Sequence, residues 1–279
     1  MPDSAPTTHG SVHRTARRLT SAGVEMRDEV VVEETAVALV YNGISHAVMM
    51  ATPCDLEDFA RGFTLTERIV EKPSEIYDIE VEENEREPAS GSRGRGIEVR
   101  LEIASQRMVA LQAQRRTMAG RTGCGLCGVD SLDAALRPVP RSTGTGTISR
   151  AAIQRAMAAL PGEQKINKQN GATHAAGWAM PDGSLVAVRE DVGRHNALDK
   201  LGGALAKAGL PTSGFVVVTS RCSYEMVQKA AAIDAAAIAA VSAPTSLAIE
   251  TAEQAGLALV AFVRDNRLTV YAHGERIEA

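Results

Sequence analysis

The chain has 279 residues, 44% of them hydrophobic and 23% charged, so it can bury a core without disulfide staples. Its 30 basic and 34 acidic residues leave a net charge of −4, which argues against a general nucleic-acid binder but leaves room for a local basic pocket. The N-terminus lacks the apolar core of a signal peptide, and the most apolar stretch, 230–243, contains Asp234 and is too short for a membrane span, so a cytoplasmic protein is expected.

Residues 1–28 mix Ser, Thr, His, Arg and Gly without apolar periodicity and are expected to form a disordered leader. Short strands are predicted over 37–41 and 44–49, flanking Asn42-Gly43, a strong hairpin signal. Leu56, Phe59, Ala60, Phe63 and Ile69 then recur at helical spacing, with Asp55 or Thr52 as a cap. Strands are predicted over 76–82 and 97–103, separated by a polar, Gly-rich loop at 82–95. Residues 29–112 thus read as a small α+β domain.

Residues 113–147 are rich in Arg, Gly, Pro, Ser and Thr and read as a connection between domains, with a helix able to start at 129–136. From 148 to 279 the pattern alternates. Helices are predicted over 153–160, 196–208 (capped by Asn196, ended by Gly209), 224–240 and 246–254 (closed by Gly256). Strands are predicted over 184–189, 215–219, 241–243, 257–263 and 268–272, the last two joined by a hairpin through Arg264 and Arg267. Alternating strands and helices with a terminal hairpin indicate a layered α/β domain with a mixed sheet.

Four cysteines in a chain of this size, without a secretory signal, are expected to be reduced thiols. Two stand as Cys124-Gly125-Leu126-Cys127, between Gly123 and Gly128 and downstream of Arg115, Arg116 and Arg121. Glycines leave the sulfurs uncovered, and nearby positive charge favours a thiolate. Such a pair suits sulfur relay through a reversible persulfide. Redox or zinc chemistry stays open on motif alone, although a zinc site needs further ligands and Cys54 and Cys222 are isolated. The plainest alternative is a packed pair, which so many glycines disfavour.

The sequence resembles the FdhD family of formate dehydrogenase accessory sulfurtransferases from about Val30 to Ile277. The resemblance lies in Ala51-Thr52-Pro53-Cys54-Asp55-Leu56-Glu57-Asp58-Phe59, the cysteine loop, Arg189-Glu190-Asp191-Val192-Gly193-Arg194-His195-Asn196-Ala197-Leu198-Asp199-Lys200, and Val241-Ser242-Ala243-Pro244-Thr245-Ser246. It implies a C-terminal domain similar to the cytidine deaminase fold, and a homodimer. It also implies sulfur received from a cysteine desulfurase on Cys124, with Cys127 assisting. The sulfur would go to the molybdenum bis(guanine dinucleotide) cofactor that serves formate dehydrogenase. Phe262, Val263, Arg264, Asp265, Asn266 and Arg267 match the family's cofactor segment. One departure is Asn170-Gly171-Ala172-Thr173-His174, where the family has Thr-Gly-Gly-x-His.

Arg264 and Arg267 are forks suited to phosphate oxygens, or else two solvated charges at a turn. Arg194 and His195 lie between a predicted strand and helix, where α/β sheets place ligands; His195 could equally support the turn. His174 stands in a Gly-containing loop with the same two readings. Arg221 and Glu225 are further rim candidates, while Cys54 and Cys222 read as small packed residues. Besides sulfur transfer, the sequence admits a deaminase-type zinc hydrolase or a chaperone that only holds the cofactor. The hydrolase lacks its His-x-Glu, since His174 precedes Ala175-Ala176.

Overall fold

A computed structural model describes residues 9–86, 94–116, 139–144, 146–209 and 213–279. Cys124, Cys127 and the helix expected at 129–136 lie outside the described residues.

The expectation of a disordered leader fails from Ser11 onward. Strands β1 (Ser11–Thr20) and β2 (Gly23–Val32) form an antiparallel ribbon. Cross-strand charge pairs replace a core there: His13 Nδ1 lies 2.7 Å from Asp28 Oδ2, and Arg18 lies 3.2 Å from Glu29. The base is tied by Glu33 N–H to Gly10 O (2.8 Å) and Asn170 Nδ2–H to Ser11 Oγ (3.0 Å).

Strands β3 (Thr35–Tyr41) and β4 (Ile44–Ala51) form the predicted hairpin, with Asn42 and Gly43 at φ 46° and 78°. Both values suit the type I′ turn that an Asn-Gly pair favours. Helix α1 (Leu56–Thr66) follows, then β5 (Ile76–Arg86), β6 (Gly94–Ile103) and α2 (Ser105–Arg116). The strands order as β4-β3-β6-β5, with β3 and β6 parallel. Val37, Leu39, Tyr41, Val99 and Leu101 pack against Phe59 and Phe63 of α1 and against Met108 and Leu111 of α2. Two expectations change. The loop expected at 82–95 is strand over 82–86 and 94–95, the residues between lying outside the described ones, and pairs such as Arg100–Glu82 (2.7 Å) stabilise it. Helix α2 was hidden because Met108 and Leu111 are its buried apolar pair amid Arg and Gln.

The C-terminal half begins with β7 (Ile148–Ser149), α3 (Arg150–Glu163) and α4 (Asn167–Asn170). It continues with β8 (His174–Ala179), β9 (Leu185–Asp191), α5 (Arg194–Ala208), β10 (Phe215–Val218) and α6 (Tyr224–Ala232). It ends with β11 (Ala237–Ala240), α7 (Ser246–Ala255), β12 (Ala258–Arg264), β13 (Arg267–Ala272) and β14 (Ile277–Glu278). The six-stranded order is β13-β12-β11-β10-β8-β9; β10, β11 and β12 run parallel and the other neighbours antiparallel, so the layered, mixed-sheet expectation holds. Val216, Val218, Ile238 and Leu259 face α5, α6 and α7, while Phe215, Val217, Ala239 and Val260 face α3. Burial on both faces explains why these strands read as continuous apolar runs.

The single helix expected at 224–240 is instead helix, turn and strand. Asp234 takes a left-handed φ of 57°, and Ala237–Ala240 enter the sheet centre, where small side chains fit under helices on both faces. The strand expected at 241–243 is displaced accordingly. Strand β8 was not anticipated, and Gly193, rather than Asn196, occupies the α5 N-cap. Asp55 precedes α1 in a left-handed conformation without a side-chain capping bond. Thr52 is used elsewhere: its hydroxyl accepts from Val192 N–H at 3.1 Å.

The two halves join through α1 and α5. A Cβ on Gly62 would lie 1.7 Å from Asp199 O, and one on Gly203 would lie 1.8 Å from Asp58 O, so the helices cross backbone to backbone. Buried charges flank that crossing. Arg189 donates to Asp58 Oδ2 at 2.7 and 2.9 Å. Lys200 pairs with Asp191 at 2.7 Å and donates to Thr52 O at 2.9 Å. Lys229 pairs with Asp199 and with Glu67, each at 2.8 Å, and Thr66 Oγ1–H donates to Asp199 Oδ1 at 2.5 Å.

Candidate functional site

The parallel strands β10, β11 and β12 end on one edge of the sheet, and the loops following β10 and β11 leave there. The backbone stitches this edge together: Thr219 N–H donates to Ala175 O (3.1 Å), Val241 N–H to Val218 O (3.1 Å) and Phe262 N–H to Ser242 O (3.4 Å). Antiparallel β8 begins and β9 ends on the same edge, so His174 and Asp191 are brought there as cross-strand partners. Ligands of open α/β sheets bind outside the carboxyl ends of strands.

His174, Arg194 and His195 gather at this edge. His174 opens β8 half-buried. Burial first, then the neighbouring Arg194 and His195, hold its pKa below the ordinary histidine value, against the pull of Asp191. Arg194 and His195 form the first turn of α5, which Asp191 fixes by accepting from Gly193 N–H (2.7 Å) and Asn196 Nδ2–H (3.0 Å). Asn196 also donates to Met50 O at 2.9 Å, tying the turn to β4. His195 Nε2 stands 2.9 Å from Glu225 Oε2 on α6, close in distance but out of line for a hydrogen bond. Glu225 is thus a site residue that sequence reading placed only on the rim.

The departure at Ala172 has a local reason. Gly171, at φ 69°, is the left-handed C-cap of α4, whereas Ala172 is exposed and takes no positive φ. Asn170 Oδ1 accepts from Ala172 N–H at 2.9 Å and closes the turn. The retained glycine is the one the turn requires.

The Phe262–Arg267 segment spans the end of β12, the hairpin turn and the start of β13. A register irregularity between Ala261 and Arg264 puts Phe262 at φ 52°. Phe262, Arg264, Asp265, Asn266 and Arg267 are exposed, and Val263 is buried against the α3 side of the sheet. The turn is anchored by Arg150 donating to Asn266 O (3.2 Å) and Gln154 donating to Asp265 O (3.0 Å). Phe262 and His174 therefore share an edge three strand spacings apart, about 14 Å. The hairpin's own bonds run to α3, not to the histidines.

Cys54 and Cys222 are buried free thiols, in keeping with packed residues. Burial pushes Cys222 up to about 12; burial also raises Cys54, although Lys200 beside it opposes the shift. Cys54 lines a cleft of about 330 Å³ with Pro53, Asp55, Asp58, Val81 and Lys207. Among the described residues no group of His, Cys, Asp and Glu could hold a metal ion, and no helix is long and apolar enough to cross a membrane.

Comparison with known proteins agrees on one family. The FdhD/NarQ family model matches residues 32–278. The sulfur carrier protein FdhD of Cupriavidus necator is 50% identical over 277 residues, 99% of this chain and 92% of that protein. The protein of the same name from Xanthomonas campestris is 47% identical over 276 residues, 99% of this chain and 95% of its own. The crystal structure of a Desulfotalea psychrophila protein, assigned as a formate dehydrogenase accessory protein, superposes with a TM-score of 0.72 at 25% identity, covering 96% of this chain and 99% of that one. With a family match from residue 32 to 278 and near full-length relatives at about half identity, this chain belongs to the FdhD/NarQ family.

Proposed function

We propose that the protein is a sulfur carrier for formate dehydrogenase maturation, with Cys124 as the carrying thiol and Cys127 as its helper. One observation supports this most: a glycine-flanked Cys-x-x-Cys stands in a chain whose near full-length relatives are named sulfur carriers. The donor in this reading is a cysteine desulfurase persulfide. The Cys124 thiolate attacks its outer sulfur, the donor leaves as a thiolate, and Cys124 holds a persulfide without net redox change. Attack by the Cys127 thiolate on the inner sulfur of Cys124 releases the outer one as sulfide and leaves a Cys124–Cys127 disulfide. A dithiol reductant then restores both thiols.

The acceptor proposed is the molybdenum bis(guanine dinucleotide) cofactor, bound as substrate. Arg264 and Arg267 would meet phosphate or guanine oxygens from the hairpin, with Phe262 as an exposed stacking face and Val263, Asp265 and Asn266 shaping the turn. His174, Arg194 and His195 would serve the same ligand from the other end of the edge. A cytoplasmic homodimer fits this role, with formate dehydrogenase as the client.

The reading is tested by incubating the protein with a cysteine desulfurase and cysteine, then weighing the Cys124 peptide. Added mass of one sulfur on Cys124, absent in Cys124→Ala, is the expected result. No sulfur on either cysteine would refute it. A Cys124→Ala, Cys127→Ala double variant that fully restores formate dehydrogenase in cells lacking the native protein would favour a holding chaperone.

A further inference from the structure

Buried polar atoms in folded proteins almost always have a partner, so a group of orphans in one place asks for a missing one. Several buried side-chain atoms among the described residues lack an aligned partner. Three of them, Arg194 Nε, His195 Nε2 and Ser223 Oγ, stand at the facing starts of α5 and α6. Arg194 Nε and Ser223 Oγ can donate, and His195 Nε2 can when it carries the proton. Neither helix start has a side-chain cap: Gly193 has none to give, and Ser223 makes no capping bond. His174 lies close enough to feel Arg194 and His195 electrostatically. Glu225 Oε2 stands near His195 Nε2 but out of line, while Arg194 Nε and Ser223 Oγ have no acceptor, and a phosphoryl group supplies several acceptor oxygens at once.

Glu225 is out of place in such a site, because a carboxylate repels an anion. Its location is nevertheless firmly set. Four residues further along α6, Lys229 pairs with Asp199 at 2.8 Å, and Asp199 is itself four residues beyond His195 on α5. The two helices are thus joined by two rungs, His195–Glu225 at the partly exposed edge and Asp199–Lys229 beneath it. The lower rung is nearly inaccessible and is bonded to Thr66 and Glu67 of the N-terminal half. It clamps α6 and so fixes Glu225 beside His195.

We infer that Glu225 is a positioning residue that holds the His195 ring at a phosphate-binding cluster formed with Arg194, Ser223 and His174, so that its presence tightens phosphate binding despite its charge. This rests on the cofactor reading above and assigns the phosphoryl part of that ligand to this end of the edge.

The test uses the full chain and two separate probes, inorganic pyrophosphate and guanosine, titrated by calorimetry. Pyrophosphate is expected to bind, and Arg194→Ala to weaken it more than tenfold. Glu225→Gln is expected to weaken it about tenfold, through loss of the charge that orients the His195 ring. Glu225→Asp should recover most of that loss, and guanosine binding should not change in any variant. Should Glu225→Gln fail to fold, Glu225→Ala and Ser223→Ala carry the test, each expected to weaken pyrophosphate while Tm stays near wild type. Unchanged or tighter pyrophosphate binding in Glu225→Gln would show that the carboxylate only repels, and would overturn the inference. Absence of pyrophosphate binding to the wild-type protein would overturn it too, yet leave persulfide formation on Cys124 untouched.

Discussion

Lys200 Nζ and Asp191 Oδ2 lie 2.7 Å apart with both side chains fully buried, and Asp191 Oδ2 also accepts from Thr52 N–H at 3.0 Å. One carboxylate therefore braces the first turn of α5, the loop before α1 and a buried lysine. Removing one member of a buried pair leaves the other charge uncompensated. Lys200→Met should cost about 3–5 kcal/mol in urea unfolding. The double variant Lys200→Met, Asp191→Leu should cost less than the sum of the singles. Additive costs would show that the two side chains are not coupled.

Gly203→Ala should be among the most damaging small substitutions, because its added carbon meets the Asp58 carbonyl and no flexible atom can yield. A loss of about 3 kcal/mol is expected from such overpacking. Gly209→Ala gives a control, since nothing lies within 4 Å of its Cβ position; there the penalty is the left-handed φ of 59°. Melting temperatures of the two variants check the ranking.

Acid should weaken the fold through His174. Its folded pKa is lowered, by burial first and then by Arg194 and His195, with Asp191 opposing. The unfolded chain therefore binds the extra proton first as pH falls. The neutral ring's contribution is complete above the unfolded histidine value of about 6.5 and is lost as pH drops below it. Comparing His174→Gln with wild type in unfolding titrations at neutral and mildly acidic pH should show a flatter pH dependence in the variant. Identical slopes would contradict this.

Cys222, with its thiol pushed up to about 12 by burial, should resist alkylation in the native protein and react after denaturation. Cys54→Ala should leave sulfur loading on Cys124 intact. Rapid native labelling of Cys222, read by peptide mass, would show that the loop after β10 opens.

Local chemistry was legible in the sequence where one short segment decided the outcome. Asn42-Gly43 specified its hairpin, Gly209 and Gly256 closed their helices, and the last hairpin came from two apolar runs around Arg264 and Arg267. The alanine-rich run misled because alanine suits a helix and a crowded sheet centre alike; the break was carried by Asp234 alone. The ribbon β1–β2 escaped notice because its apolar residues are exposed and its bonds run between charges. At the candidate site, Arg194, His195 and His174 were readable as a motif. Glu225 was readable only as a rim candidate and not as the neighbour of His195, because the two lie thirty positions apart in the chain and only the α5–α6 packing joins them. The buried charges of the seam were invisible for the same reason: Thr66 and Asp199 are 133 residues apart.

The backbone-to-backbone crossing of α1 and α5 also constrains how the molecule can work. Shear between packed helices relies on a layer of side chains that switch rotamers as the elements slide. At Gly62 and Gly203 no such layer exists, so sliding would drive one peptide into another. The N-terminal sheet and the candidate ligand edge of the C-terminal sheet must then travel as one piece. In the proposed relay, motion that brings a sulfur to that edge has to come from chain outside this seam.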